Sequence, residues 1–218
     1  MKCTLREWQT NYKEPKELIF QASVMDGSDS WTDWPIGLGA QYVNVYHLGE
    51  KLQIGNHENL VLSAFHPSTD IHRRGSSAIN RSSIQKTLSQ NGFSNSNIHP
   101  TVYFQKLPTY KFVISPEGNG IDCHRHAEAL VAGCIPILER NPLTEAKYAS
   151  LPVVWTTDYS EITEDYLLKC WNEMLDAVYD FSPLFVKSYD PITQRKIRVF
   201  GDYWANKHLG KSFYKGYP

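Results

Sequence analysis

The sequence predicts an α/β fold, and three observations carry that reading. The stretch 110–138 runs strand, glycine-containing loop, short helix, strand; residues 59–65 and 151–155 are further β-prone apolar runs; helical patterns lie between them. Alternation of this kind puts strands in one sheet and sites in the loops at their carboxyl ends.

Taken in order, Leu18 to Val24 reads as a strand, Met25 to Pro35 as a polar, aromatic loop, and Tyr42 to Tyr46 as a second strand. Asn59 to Phe65 is apolar enough to be a buried strand. After a loop over 66–77, a helix from about Ser82 to Gln90 is closed by Asn91-Gly92. Residues 99–108 form a connector. Phe112 to Ile114 is a brief strand, Ser115 to Gly120 has turn chemistry, and Cys123 to Ala132 is a helix stopped by Gly133, with Pro136 beyond it. Residues 141–150 are a short helix or loop, 151–155 a strand, and 156–161 a turn at its carboxyl end, with Ser160 or Thr163 capping the next helix. That helix, Glu164 to about Asp180, carries Tyr166, Leu167, Cys170, Trp171, Met174, Leu175, Val178 and Tyr179 on a broad apolar face.

The chain of 218 residues is long enough for one large or two small domains. Its net charge of −1 gives no electrostatic reason to expect nucleic acid or an anionic membrane as partner. Cys3, Cys123, Cys134 and Cys170 include no C-x-x-C pair, which argues against a zinc ribbon and fits a reducing compartment. The opening Met-Lys-Cys-Thr-Leu-Arg-Glu-Trp has no apolar core, and no run approaches the roughly 20 apolar residues of a membrane span, so a cytoplasmic location is expected.

The central stretch is where chemistry concentrates. A helix begun directly after a glycine loop turns unpaired N–H groups and the positive end of its dipole toward whatever sits above the loop, which makes an anion site. Arg125 and Glu128 are three apart and share a face, and His124 neighbours Glu128 at a spacing of four. A cation for a diphosphate and a carboxylate for a ribose diol can thus project from one helix. The plain alternative is a surface ion pair on an ordinary helix.

Ser115-Pro-Glu-Gly-Asn-Gly-Ile-Asp-Cys-His-Arg125, with Glu128-Ala-Leu130 and Gly133-Cys-Ile-Pro-Ile137, resembles the donor-binding signature of the exostosin-like glycosyltransferases. The resemblance is strong over about 110–162, weaker over 58–109 and absent before that. It implies a GT-B-like fold: a Rossmann-type nucleotide-sugar-binding domain over 58–218, with an abbreviated N-terminal, acceptor-side lobe over 1–57. It also implies that Arg125 meets the diphosphate and Glu128 the ribose. Ser115, Gly118, Asn119 and Gly120 of the loop, His124, and Arg74 and Arg81 ahead of the loop complete the candidate donor-binding set. His126 stands where the family often has a bulkier residue. In the last helix of such enzymes, Tyr203 and Trp204 would brace the two lobes.

Asp26, Asp29 and Asp33 are the candidate bases, Asp26 first because it lies nearest a strand end; each is also an ordinary turn former. The sequence contains no Asp-x-Asp, Walker loop, Gly-x-Ser-x-Gly or complete G-x-G-x-x-G. His124 and His126 fall on different helix faces and make a poor metal pair. The expectation is a metal-independent, inverting transferase without a cofactor, using a UDP-linked sugar and a glycan or glycoprotein acceptor. The alternative is a non-catalytic nucleotide-sugar- or carbohydrate-binding module of a larger glycosyltransferase.

Overall fold

The computed structural model describes residues 19–21, 31–33, 36–43, 52–75 and 77–198, with the backbone alone described at 19–21, 31–33, 40 and 43. The chain is a mixed α/β protein organised on a four-stranded parallel sheet of β3 (Asn59–Ser63), β4 (Tyr110–Ile114), β5 (Ile135–Glu139) and β6 (Val154–Thr156), in that spatial order. Val61 pairs with Phe112, Phe112 with Ile135, and Ile137 with Val154. The order is sequential, so strand order does not reverse among the four. A separate two-stranded parallel sheet pairs β1 (Ile19–Gln21) with β2 (Trp31–Asp33).

Both faces of the four-stranded sheet are covered, as a parallel sheet requires. One face presents Phe112, Ile114, Ile135, Ile137 and Val154 to Ile84 and Leu88 of α3 (Arg81–Gln90) and to Leu167 and Trp171 of α7 (Glu164–Leu175). The opposite face, offset by one residue along each strand, sends Leu62 and Val113 toward Tyr103 of α4 (Pro100–Lys106) and Ala129 and Val131 of α5 (His124–Val131). Leu130 and Leu138 meet Tyr148 of α6 (Pro142–Tyr148) in a further cluster.

Local chemistry explains the helix ends. Asn80 accepts from the Ser83 amide while the Ser83 hydroxyl accepts from the Asn80 amide, a reciprocal cap at the start of α3. Helices α3 and α5 both end in a glycine of positive φ, Gly92 at 88° and Gly133 at 79°. At each, the amide two beyond the cap reaches five residues back: Phe93 to Leu88 at 2.8 Å and Cys134 to Ala129 at 2.9 Å.

Several elements depart from the sequence expectation. Tyr42, expected in a strand, lies in a short helix, α1 (Ala40–Val43), where its ring is fully buried against Phe104. The loop over 66–77 contains one helical turn, α2 (Ile71–Arg74). The connector over 99–108 is largely α4: the His99 side chain accepts from the Thr101 amide and Pro100 occupies the first turn, so a cap and a preset φ start the helix. Helix α7, capped by Thr163, ends at Leu175 rather than near Asp180, and Val178 is 99% exposed instead of packed. The chain is helical again over 191–198, here α8. Tyr203 and Trp204 lie outside the described residues. Among the described residues no helix is long and apolar enough to cross a membrane.

Candidate functional site

Because β3 to β6 are parallel, their carboxyl ends share one edge of the sheet. The loop after β4, Ser115 to Cys123, occupies the middle of that edge. It leads into α5, with Cys123 as the extended residue before the first turn.

The loop is held by arginines. Arg81, at the start of α3, is 3% exposed and donates from Nε to Glu117 O (2.8 Å), from Nη2 to Pro116 O (2.8 Å) and from Nη1 to His66 O (3.2 Å). Its amide donates to Asp70 Oδ2 at 2.9 Å. Burial lowers its pKa, and Cys123 and Asp70 partly restore it. Arg74 donates to Glu139 Oε1, to Asp70 Oδ2 at 2.8 Å and to Glu117 O at 3.2 Å. Arg73 grips the Glu117 carboxylate at 2.6 Å and the Gly118 carbonyl at 3.1 Å. The Glu117 amide in turn donates to Glu139 Oε2 at 2.6 Å. Burial, then the neighbouring Glu139 charge, raises the Glu117 pKa in spite of both arginines. The clamp leaves little room at Gly118, where a Cβ would stand 3.0 Å from Arg81 Nη2 and would have to displace it slightly.

Arg125 differs from these three. Its guanidinium lies 5.6 Å from the centroid of the Tyr103 ring, and Nη2 donates to Ala64 O, just past the end of β3, at 3.1 Å. Its buried Nε makes no well-aligned hydrogen bond among the described residues, although the guanidinium interacts with the Tyr103 hydroxyl, which also lacks a well-aligned partner. A buried N–H left unsatisfied costs about 1–3 kcal/mol. Glu128, one turn along, is only 7% exposed, and Oε1 accepts from the Gly39 amide at 3.3 Å. Burial raises its pKa, more than His124 and Arg125 lower it. His124 is exposed, with Nδ1 2.9 Å from Gly37 O. The segment 36–39 therefore lies across the first turns of α5.

The loop residues divide. Ser115 is fully buried with Oγ 2.7 Å from His126 Nδ1, Gly118 N donates to Gly120 O at 3.0 Å, and Asn119 is exposed. His126, at 1% exposure, fills the interior beneath the loop and packs edge-on against Tyr148 at 5.9 Å.

The structure thus brings Arg74, Arg81, Ser115, Gly118, Gly120, Arg125 and Glu128 to one region of the sheet edge. Asp26 and Asp29 lie outside the described residues, as does the side chain of Asp33, whose backbone closes β2. The sequence reading did not single out Asp70, Glu117 and Glu139, the carboxylates that balance the arginines. Arg73-Arg74 beside Asp70 at a helical spacing of four was the one signal for the first of them. Among the described residues no group of three or more His, Cys, Asp or Glu is arranged to hold a metal ion. In comparison with known proteins, the sequence matches no family model and no curated protein.

Proposed function

We propose that the protein is a glycosyltransferase of GT-B type that moves a sugar from a nucleotide diphosphate sugar, UDP-linked by preference, to a glycan hydroxyl, inverting the anomeric centre without a metal ion. One observation carries the reading. Arg125 sits at the start of an eight-residue helix at the carboxyl edge of a parallel sheet, with a buried Nε donor that no well-aligned acceptor among the described residues satisfies and a guanidinium that meets the Tyr103 hydroxyl. A pyrophosphate oxygen is the acceptor that suits such a donor, because a charge-assisted bond from guanidinium and the helix dipole then act on the same anion. The resemblance of 115–137 to the exostosin-like signature supports the same assignment.

In this reading the β3–β6 unit is the donor half and the residues before 58 are the acceptor side. Arg125 and the first turn of α5 stabilise the departing diphosphate, the electrostatic share of the rate. Glu128 accepts from the ribose hydroxyls. A carboxylate among Asp26, Asp29 and Asp33 takes the proton from the acceptor. Arg74 and Arg81 act at one remove, by fixing the loop that the diphosphate lies on.

A panel of UDP- and GDP-sugars scored for free nucleotide, with and without EDTA, tests the proposal. Release of nucleotide from one donor, unchanged by chelation, is expected; loss on chelation removes the metal-free mechanism. Arg125→Ala should weaken UDP binding about ten- to a hundredfold, the cost of a charge-assisted contact. Unchanged affinity in that variant would sink the assignment. The alternative is a nucleotide-binding module without catalysis, in which Glu128 meets the ribose as in the first reading and no base acts on an acceptor. UDP binding without release from any sugar donor would select it.

A further inference from the structure

Cys123 is the nucleophilic side chain that the proposed transfer reaction leaves unused, and its surroundings are unlike those of the other described cysteines. Its Sγ lies 3.4 Å from His126 Nδ1 and 3.6 Å from Nε2, and 3.8 Å from Ser115 Oγ. The imidazole is anchored at Nδ1, 2.7 Å from Ser115 Oγ, and its Nε2 faces Asp122 Oδ1 at 3.9 Å, a charge contact longer than a hydrogen bond. Asp122 is itself held by the Tyr148 hydroxyl at 2.9 Å and the Ile36 amide at 3.0 Å. A carboxylate, an imidazole and a thiol therefore follow one another, with the thiol at the helix start and only half-buried, while Ser115, Asp122 and His126 are buried.

The geometry points to Cys123 as a modification site: a thiolate held by His126 that attacks hydroperoxides and is converted to a sulfenic acid. In that step the sulfur bonds to one peroxide oxygen and the O–O bond breaks. The second oxygen leaves with the electron pair and takes the proton of the His126 imidazolium. Sulfur is oxidised by two electrons, the peroxide is reduced to water or an alcohol, and His126 is left neutral. The proposal does not depend on the nucleotide reading.

The electrostatics agree. Burial raises the Cys123 thiol, but the charge of His126, its hydrogen bond, and the guanidinium groups of Arg125 on α5 and Arg81 on α3 outweigh it and bring the pKa to about 6. Burial lowers His126, but Cys123 and then Asp122 raise it further than burial lowers it, which favours the thiolate–imidazolium form of the coupled pair. Cys134 is buried with its pKa pushed up by burial alone, and half-buried Cys170 is also raised, burial first. Partial exposure in an electropositive surrounding separates reactive from inert cysteines.

The test is iodoacetamide labelling of the whole chain, read cysteine by cysteine by mass spectrometry across pH 5 to 9. A depressed pKa raises the thiolate fraction but lowers intrinsic nucleophilicity, so the net advantage of Cys123 over Cys170 at pH 6 should be roughly tenfold. The decisive readout is the midpoint: alkylation of Cys123 should rise through about pH 6 and level off, while that of Cys170, raised by burial, should still be climbing at the top of the range. His126→Gln, checked for folding by circular dichroism, should move the Cys123 midpoint upward. Hydrogen peroxide followed by dimedone should label Cys123 in the wild-type chain and not in Cys123→Ser. A Cys123 midpoint above pH 8 in the wild-type protein overturns the proposal, as does a folded His126→Gln variant with the midpoint unchanged, or an absence of dimedone adduct at Cys123.

Discussion

At the scale of single residues, the four arginines near the sheet edge illustrate why a cationic side chain in the sequence is not yet a ligand. Arg81 spends its donors on three backbone carbonyls, and Arg73 and Arg74 spend theirs on carboxylates and the same loop. Removing a buried donor leaves its acceptors unsatisfied, so Arg81→Ala should destabilise the protein by about 3 kcal/mol in urea titration, and Arg81→Lys should recover only part of that because a point charge cannot serve diverging carbonyls. A stability within about 0.5 kcal/mol of wild type would show that the loop stands without the clamp. The sequence made the arginine cluster and the Arg125–Glu128 spacing legible. It did not show which guanidinium would keep an open donor, because that depends on Ala64, Pro116 and Glu117 arriving from other strands and loops.

At the scale of elements, strands and long helices were readable where the apolar period is strong, and unreadable where one buried side chain decides. Phe112-Val-Ile114 and Ile135-Pro-Ile137 follow the period of a sheet covered on both faces, and the structure uses them so. Val102-Tyr-Phe104 fits a strand equally well; a cap at His99 and a single buried Tyr103 make it helical. The apolar period of α7 runs on to Val178, but the sheet face it covers is already filled by Leu167 and Trp171, and nothing remains to bury the last turn. The stop of α5 was legible because glycine alone suits it: Gly133 has φ 79°, and a Cβ there would meet Gln53 O and Gly55 N at 3.0 Å. Gly133→Ala should therefore cost about 2–4 kcal/mol, combining left-handed strain with overpacking. Thr163→Ala, losing only the cap to the Tyr166 amide, should cost about 1 kcal/mol. Equal losses in the two variants would mean that the close approach of residues 53–55 to Gly133 carries no energy.

At the scale of the whole molecule, residues 36–39 of the N-terminal segment are tied to the α5 region by contacts 86 to 89 positions apart in the chain. Ile36 N reaches Asp122, Gly37 O meets His124, and Gly39 N reaches Glu128 across 89 positions. Sequence spacing is silent about such pairings, and Glu128, expected on an open face, is buried as a result. A carboxylate with a raised folded-state pKa has a definite effect on stability. Between its unfolded and folded pKa values the folded state holds the proton more tightly, so its stabilising contribution is complete at low pH and is lost as pH rises through the folded value. Above the folded value the ionised group is a net burden on folding, carried at a position where the proposed ribose contact needs an acceptor. Glu128→Gln keeps an oxygen for the Gly39 amide and removes the charge. It should raise the melting temperature at pH 7, the gain should shrink as pH falls to the ordinary carboxylate range, and UDP affinity should fall. A melting temperature lowered at pH 7 would mean that His124 and Arg125 hold the Glu128 charge more strongly than burial opposes it, and Glu128 would then be a structural ion pair rather than a strained group kept for a ligand.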